Sequence, residues 1–141
     1  ATTIFKNYMR RSAQLTIFTG KRKTDNARTR IALGSGKILI NGKNYTEYFC
    51  NRAALIKVVE DALRITGNFG KYDVFANVRG GGISAQADAV RHGIAKALVA
   101  ENQDFRIALK RNGFITRDSR EVERKKYGRS GARKLFQFSK R

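Results

Sequence analysis

The stretch Gly80–Leu98, GGGISAQADAVRHGIAKAL, decides the fold. Its three glycines end a strand pattern, and Ser84 is a favourable cap for the helix that follows. Val90, Ile94 and Leu98 recur at helical spacing and give that helix one apolar side. A second row of the same helix has only small residues at every fourth position, which lets a neighbouring element approach very closely: Ala85, Ala89, Gly93 and Ala97.

Patterns on either side of this stretch predict its neighbours in the fold. Residues Tyr72–Val78 alternate in side-chain character, as expected for a strand with one wetter face. The apolar residues of Leu55–Leu63 fall on one face of a helix, and Gly67 is a suitable C-terminal stop. A shorter helix, about Asp104–Asn112, should end at Gly113.

The N-terminal third has the signals of strands and turns. Leu15–Thr19 alternates like a strand and runs into Gly20. Ala27–Leu33 and Lys37–Ile40 are separated by three small residues and predict a hairpin. Asn41-Gly42 is a further turn signal, since both residues tolerate positive φ. Strands followed by strands that alternate with helices predict an α+β domain with its helices on one face of a sheet.

Charge is unevenly distributed along the chain. There are 30 Lys+Arg against 11 Asp+Glu, a net charge of +19 at pH 7 and a pI near 10.9. Residues 1–30 and 117–141 each carry a net charge of +7, whereas residues 31–116 carry only +5. This distribution predicts an N-terminal arm over residues 1–12, a globular RNA-binding domain over 13–116 and an extended basic tail over the remainder, with a polyanion as partner.

Sequence motifs give no support for catalysis, cofactors or metals. Gly80–Gly82 is not a dinucleotide fingerprint, because Ala85 stands where the third glycine belongs, and a tight turn explains it about as well as a phosphate contact. Arg22 stands where a P-loop needs Ser or Thr. His92, the only histidine, is a poor metal ligand candidate and is expected at the surface or facing RNA. We therefore predict no enzyme activity, no cofactor, no small-molecule substrate and, without an apolar run of about 18 residues, no membrane partner.

Two basic regions have the residue types that recognise RNA. In a strand, Arg28 and Arg30 point to one face, where they can reach phosphates; the alternative is a solvated basic strand that prevents aggregation. In the tail, Arg and Lys side chains alternate with Tyr127, Phe136 and Phe138, whose rings offer stacking faces to bases. An ordinary disordered basic tail is the alternative there.

Four stretches together resemble the family of small-subunit ribosomal protein nine, of bacterial or organellar type. They are GKRKTDNARTRI (Gly20–Ile31), GKILINGKNYTEYF (Gly36–Phe49), the glycine-rich stretch quoted above, and TRDSREVERKKYG (Thr116–Gly128) with the closing QFSKR. The resemblance covers roughly residues 15–141. It implies a small mixed sheet with helices on one face, like the second domain of small-subunit ribosomal protein five, with a left-handed β-α-β crossover.

The resemblance also implies a function and a set of contacts. The protein would be a structural constituent of the small ribosomal subunit, bound to ribosomal RNA of the subunit head beside neighbouring head proteins. Its C-terminal tail would reach the peptidyl-site tRNA through Lys140 and Arg141. The residues expected to bind ribosomal RNA are all basic: Lys21, Arg22, Lys23, Arg28, Arg30, Arg79, Arg117, Arg120, Arg124, Lys125, Lys126, Arg129, Arg133 and Lys134.

Two other functions are compatible with parts of the sequence. The charge alone also fits a free-standing basic nucleic-acid-binding protein or RNA chaperone. A small-molecule kinase with a glycine-rich phosphate loop is disfavoured by the short chain and the missing catalytic carboxylates.

The lack of proline and the abundance of Asn, Ile and Lys suit an A/T-rich genome. The expected location is therefore a plastid (chloroplast) ribosome, with the bacterial cytoplasm as the alternative.

Overall fold

The computed structural model describes residues 15–140. The predicted arm over residues 1–12 lies outside the described residues, as do Ala13, Gln14 and Arg141. Within the described range the elements follow in this order: β1 (Phe18–Arg22), β2 (Asp25–Leu33), β3 (Ile38–Ile40), β4 (Lys43–Asn44), α1 (Tyr45–Tyr48), α2 (Ala53–Ile65), β5 (Tyr72–Arg79), α3 (Ile83–Glu101) and α4 (Phe105–Arg111). The α+β class predicted from the sequence is confirmed.

The strands form one mixed sheet in the order β1-β2-β5-β3-β4. β5 is antiparallel to β2 and parallel to β3, so it lies between them. The predicted hairpin between Ala27–Leu33 and Lys37–Ile40 is therefore wrong. The three small residues carry the chain past the end of β5 instead, where the Gly34 N–H donates to Lys71 O (2.9 Å).

A buried carboxylate holds this crossing. Asp73, the second residue of β5, is 7% exposed. Its Oδ1 accepts the backbone N–H groups of Ser35, Gly36 and Lys37 at 3.0, 3.0 and 2.9 Å. Because three donors converge on one charged acceptor, the connection is fixed without strand pairing.

Two tight turns join strands that do pair. β1 and β2 are antiparallel neighbours, and the turn between them has Lys23 in the left-handed region (φ 51°). β3 and β4 are joined by Asn41 (φ 51°) and Gly42 (φ 82°), so the predicted Asn-Gly turn is confirmed. The Asn41 side chain also pairs with both backbone groups of Val78, which ties this hairpin to β5.

The helices begin and end close to the predicted residues. α2 is followed by Gly67 at φ 68° and α4 by Gly113 at φ 73°, so both glycine stops are confirmed. The N-terminal cap of α3 was wrongly predicted: the cap residue is Gly82, and Ser84 lies inside the first turn. The extended backbone of Gly82 (ψ 154°) starts the helix two residues earlier, without a side-chain hydrogen bond.

The helices cover one face of the sheet, as predicted. The small-residue row of α3 meets β1 and β2, and a Cβ on Gly93 would overlap the Thr29 side chain. Ala27, Ile31, Val74 and Val78 point to that side and join the buried core. The chain passes from β3 to the parallel β5 through α1 and α2, and the left hand of this crossover stays a prediction.

Candidate nucleic-acid interface

The face of the sheet opposite the helices carries a cluster of basic side chains. Residues that pair directly across strands share a face, and the register pairs Lys21 with Asn26 and Asn26 with Arg79. The next row on the same face pairs Arg28 with Asn77. We call this surface the open sheet face, defined by Lys21, Asn26, Arg28, Arg30, Asn77 and Arg79. Its four cations come from three strands, of which β5 is far from β1 and β2 in the sequence.

The open sheet face has cations that are available to a ligand. Lys21, Arg28 and Arg79 are exposed, and Arg30 is half-buried. The Arg30 Nε is buried and has no hydrogen-bond partner among the described residues. A buried donor without an acceptor costs about 1–3 kcal/mol, so the Arg30 side chain would gain stability by moving to reach an oxygen acceptor. On β5, the carboxylate that shares this face by register is Asp73, which is occupied by three backbone N–H groups.

Arg22 lies on the other side of β1, although the sequence groups it with Lys21 and Lys23. Its side chain is 14% exposed and lies 3.6 Å from the Asp88 carboxylate and 3.2 Å from that of Asp118. Strand alternation explains the separation, because adjacent residues of a strand point to opposite faces. Lys23 is exposed at the turn beyond β1.

The glycine loop is a tight turn over a buried acid. Gly80 has φ 133°, and a Cβ there would overlap Asp25. The Asp25 carboxylate is 1% exposed, and burial raises its pKa above the usual 3.8, an effect that the Gly81 backbone and Lys23 partly oppose. Because this acid already lies beneath the loop that opens α3, the turn explanation of the three glycines is the better supported one.

His92 is buried inside the domain, which corrects its expected surface or RNA-facing position. Its ring is 7% exposed; Nδ1 accepts the Lys21 N–H at 3.1 Å, and Nε2 lies 2.9 Å from Ile115 O. With Nδ1 as acceptor, Nε2 carries the proton and donates. Burial lowers the pKa of His92 below its usual 6.5, and nearby Lys96 and Arg117 lower it further. No sequence pattern indicates this role, since both hydrogen-bond partners of the ring are backbone groups.

The basic residues after α4 lie on a segment without helix or strand over residues 112–140. Its carboxylates pair with neighbouring cations. Glu121 lies 3.0 Å from Arg117, and Glu123 contacts Lys126 and, at 2.9 Å, Arg133. Among the other predicted tail cations Arg129 is half-buried, and these are exposed: Arg124, Lys125, Lys134 and Lys140. The boundaries of the predicted tail and its extended path stay predictions.

Other kinds of site find little support in the part of the chain that the structure describes. There, no three His, Cys, Asp or Glu side chains are grouped as metal ligands would be. None of the helices between residues 15 and 140 has the length and apolar character to cross a membrane. Cys50 is exposed and unpaired there.

A one-sided α+β sheet with basic residues on its open face is typical of one class of protein, those that bind nucleic acid. A family model described as ribosomal protein S9/S16 matches residues 20–141. The chain belongs to this family of ribosomal proteins, whose role is structural rather than catalytic, and it is a constituent of the small ribosomal subunit. The resemblance given by the four sequence stretches is confirmed.

Curated relatives carry the same family name over nearly their whole length. Small ribosomal subunit protein uS9 of Anaeromyxobacter sp. (strain K) is 52% identical over 128 residues, which cover 91% of this chain and 98% of the relative. The proteins of that name from Maridesulfovibrio salexigens and Borrelia duttonii are 50% and 52% identical over 123 residues. Those matches cover 87% of this chain and 94% and 90% of the relatives. These relatives are bacterial, so they give the expected plastid origin no support.

Proposed function

We propose that the protein binds ribosomal RNA of the small-subunit head through the open sheet face and through the basic residues that follow α4. The observation that carries the proposal is the grouping of Lys21, Arg28, Arg30 and Arg79 on one surface. Guanidinium groups bind phosphate oxygens in a bidentate manner, and several arginines on one surface can contact the phosphates of a folded RNA. Asn26 and Asn77 add donors and acceptors for base edges or ribose hydroxyls.

A solvated basic face remains the competing explanation for these residues. Edge protection needs charge on the outermost strands, which here are β1 and β4. Arg28, Arg30 and Arg79 lie instead on β2 and β5, in the interior of the sheet. Their position away from the sheet edges therefore favours RNA contact.

The test of RNA binding is the salt dependence of affinity for small-subunit RNA. Each phosphate neutralised by the protein contributes a log–log slope of about −0.7 to −0.9. A steep negative slope supports the proposal, and a flat one contradicts it. Co-sedimentation through high-salt sucrose separates the proposal from the free-standing nucleic-acid binder or RNA chaperone, since an assembled subunit protein stays with the particle and a loose binder washes off.

We further propose that the C-terminal residues reach the tRNA in the peptidyl site. Lys140 is exposed, and Phe138, 93% exposed, offers a ring with no protein surface beneath it. Such a ring gains stability by stacking on a base, at about 1–3 kcal/mol. Arg141 lies outside the described residues and would add a second cation beside Lys140.

The tRNA proposal is tested in subunits reconstituted with a chain that lacks Phe138–Arg141. Assembly should be unchanged, and the dissociation rate of peptidyl-site tRNA should rise. The matched control is Lys110→Gln with Arg111→Gln, which removes two charges from the exposed end of α4. An unchanged tRNA dissociation rate in the truncated subunit would contradict this proposal without affecting the one on ribosomal RNA.

Neighbouring head proteins are proposed as further partners, and the bacterial-type ribosome as the location. The bacterial relatives support a bacterial origin more than a plastid one, since only base composition favours the plastid. Mass spectrometry of small subunits purified from the source cell or organelle, with crosslinking of this chain to its neighbours, tests both points.

A further inference from the structure

We propose that Arg22 is a positioning residue, which joins the helix layer to the first residues after α4 and so fixes where the C-terminal segment leaves the domain. Its place in the basic run Lys21–Lys23 predicts a contact with ribosomal RNA instead. We define the tail root as Phe114–Arg120 and the Arg22 clasp as Arg22, Asp88 and Asp118. An effect of the clasp on translation depends on the proposed contact between the C-terminus and tRNA. The clasp itself follows from the contacts of Arg22 with Asp88 and Asp118.

Arg22 contacts two parts of the chain at once. Its Nε lies 3.6 Å from Asp88 Oδ2 on α3, and its Nη1 lies 3.2 Å from Asp118 Oδ2 in the tail root. The same Nη1 donates to the backbone oxygen of Arg120 at 3.2 Å. A planar guanidinium with five fixed donors suits such a bridge, which the point charge of a lysine would not reproduce. With 14% of its side chain exposed, Arg22 is screened by solvent less than an ordinary surface ion pair.

Asp118 is the tail-root half of the clasp. Its Oδ1 accepts the Arg120 N–H at 3.0 Å, and its Oδ2 accepts from Arg120 Nε and Nη2 at 3.0 and 2.7 Å. These hydrogen bonds hold the pKa of Asp118 below its usual 3.8, so the carboxylate is anionic at neutral pH. One acid thereby fixes the turn from residue 118 to residue 120 and attaches that turn to β1 through Arg22.

Further contacts hold the tail root upstream of the clasp. The His92 ring lies between β1 and Ile115. One ring nitrogen is hydrogen-bonded to the backbone of Lys21 on β1 and the other to the backbone of Ile115. The Arg91 guanidinium lies 4.6 Å from the centre of the Phe114 ring. α3 therefore fixes the start of the tail root, and the Arg22 clasp fixes its end. A polar cavity of about 180 Å³ lies between these contacts and is lined by both sets of residues.

The position of the clasp explains why a fixed exit direction would matter. Beyond Arg120 the chain has 21 residues, which can span at most about 70 Å when fully extended. A small change of direction at the root of such a segment displaces its far end by many ångströms. Fixing residues 114–120 on the domain therefore limits the volume that the C-terminus samples, which lowers the entropy lost when it binds.

The clasp is tested in the free protein by a double-mutant cycle with Arg22→Gln and Asp118→Asn. Amide hydrogen exchange over residues 117–121 should be about fivefold faster in each single variant. The double variant should exchange more slowly than the product of the two single effects, because the contact between Arg22 and Asp118 is lost only once. Glu121→Gln is the matched control, since it removes a tail carboxylate that pairs with Arg117 and, among the described residues, does not contact Arg22. Unchanged exchange in Arg22→Gln, or effects of the two variants that multiply, would overturn the proposal.

A distance measurement separates loss of position from loss of folding. Cys50 is the only cysteine and is exposed, so it can be spin-labelled together with Ser119→Cys. The distance distribution should broaden in Arg22→Gln while the circular dichroism spectrum stays unchanged, and an equally narrow distribution would overturn the proposal. In reconstituted subunits, faster tRNA dissociation in Arg22→Gln supports both the clasp and the tRNA contact. Unchanged dissociation beside faster exchange supports the clasp and counts only against the tRNA contact.

Discussion

Gly20 on β1 packs against the backbone of Ala89 on α3 with no room for a side chain between them. A Cβ on Gly20 would overlap the Ala89 carbonyl oxygen and the Gly93 nitrogen. The contact lies between two backbones, so neither side can yield by a change of rotamer. This close approach brings α3 directly onto β1 and thereby sets the distance between the helix layer and the strand that carries Lys21 and Arg22.

We expect Gly20→Ala to destabilise the protein by about 3 kcal/mol, the upper end of the range for overpacked cores, because the added methyl group must push α3 away from β1. Chemical denaturation should show a lower midpoint with an unchanged m-value. Gly131→Ala is the control, since its added Cβ would be 3.7 Å from Lys134, an ordinary contact distance. A Gly20→Ala midpoint equal to that of the control would show that α3 and β1 are less closely coupled than the structure indicates.

Local periodicity predicted the elements because each element buries one face. The alternation in Ala27–Leu33 and in Tyr72–Val78 reflects strands with a single helix-covered side, and the small-residue row of α3 reflects the close approach to β1. The wrong hairpin between β2 and β3 has a different origin. Nothing local to Gly34–Gly36 signals that β5 inserts between these strands, since that pairing depends on Asp73, well down the chain.

The candidate site was predictable only where it follows from alternation. Arg28 and Arg30 were correctly placed on one face, because the period of a strand fixes that relation. The expected surface position of His92 was wrong, and the ion pair of Arg22 with Asp118 was not predicted, because tertiary packing alone brings these partners close. The RNA contact of Arg22 stays a prediction. In a strand, consecutive basic residues point to opposite faces of the sheet. Only the folded structure shows that the Arg22 guanidinium is mostly buried, whereas Lys21 and Lys23 are exposed.

Asp73→Ala should cost about 3 kcal/mol of folding stability. The substitution leaves the N–H groups of Ser35, Gly36 and Lys37 without their charged acceptor. A hydrogen bond to a charged group contributes about 1.5–3 kcal/mol net, and the total loss is smaller than three such bonds because Ser35 and Lys37 are exposed, so water can satisfy their N–H groups. Thermal and urea unfolding measure the effect. Asp61→Ala on α2 is the control, where alanine is the better helix former. Equal stability of the two variants would contradict the proposed role of Asp73.

Arg28→Gln combined with Arg79→Gln should weaken binding to small-subunit RNA and make the log–log salt slope shallower by about 1.4–1.8, the contribution of two phosphates. The control is Arg106→Gln combined with Lys110→Gln, which removes the same charge from the exposed side of α4. Filter binding at several salt concentrations gives both slopes. Equal slopes in the two double variants would mean that net charge, and not the open sheet face, determines the affinity.

Stability should fall as the pH is lowered through the titration of His92. Burial holds the pKa of this ring below 6.5 in the folded state, whereas the unfolded ring titrates near about 6.5. Between these two pKa values the unfolded chain binds more protons, so the free energy of unfolding rises with pH by up to about 1.4 kcal/mol per pH unit. The stabilisation is complete above the unfolded pKa and is lost progressively below it. Protonation also places a hydrogen on Nδ1, where the Lys21 N–H now donates.

The measurement is urea unfolding at several values between about pH 7.5 and about pH 5.5, the window in which histidine titrates. His92→Gln should lose stability with falling pH less steeply than the parent protein. At the highest pH of the series it should be less stable than the parent. Asp25→Asn is the second comparison, because the raised pKa of Asp25 acts in the opposite sense and adds stability as pH falls. Since His92 is the only histidine, a parent protein whose stability is as insensitive to pH as that of His92→Gln would show that the ring is not held neutral between β1 and Ile115.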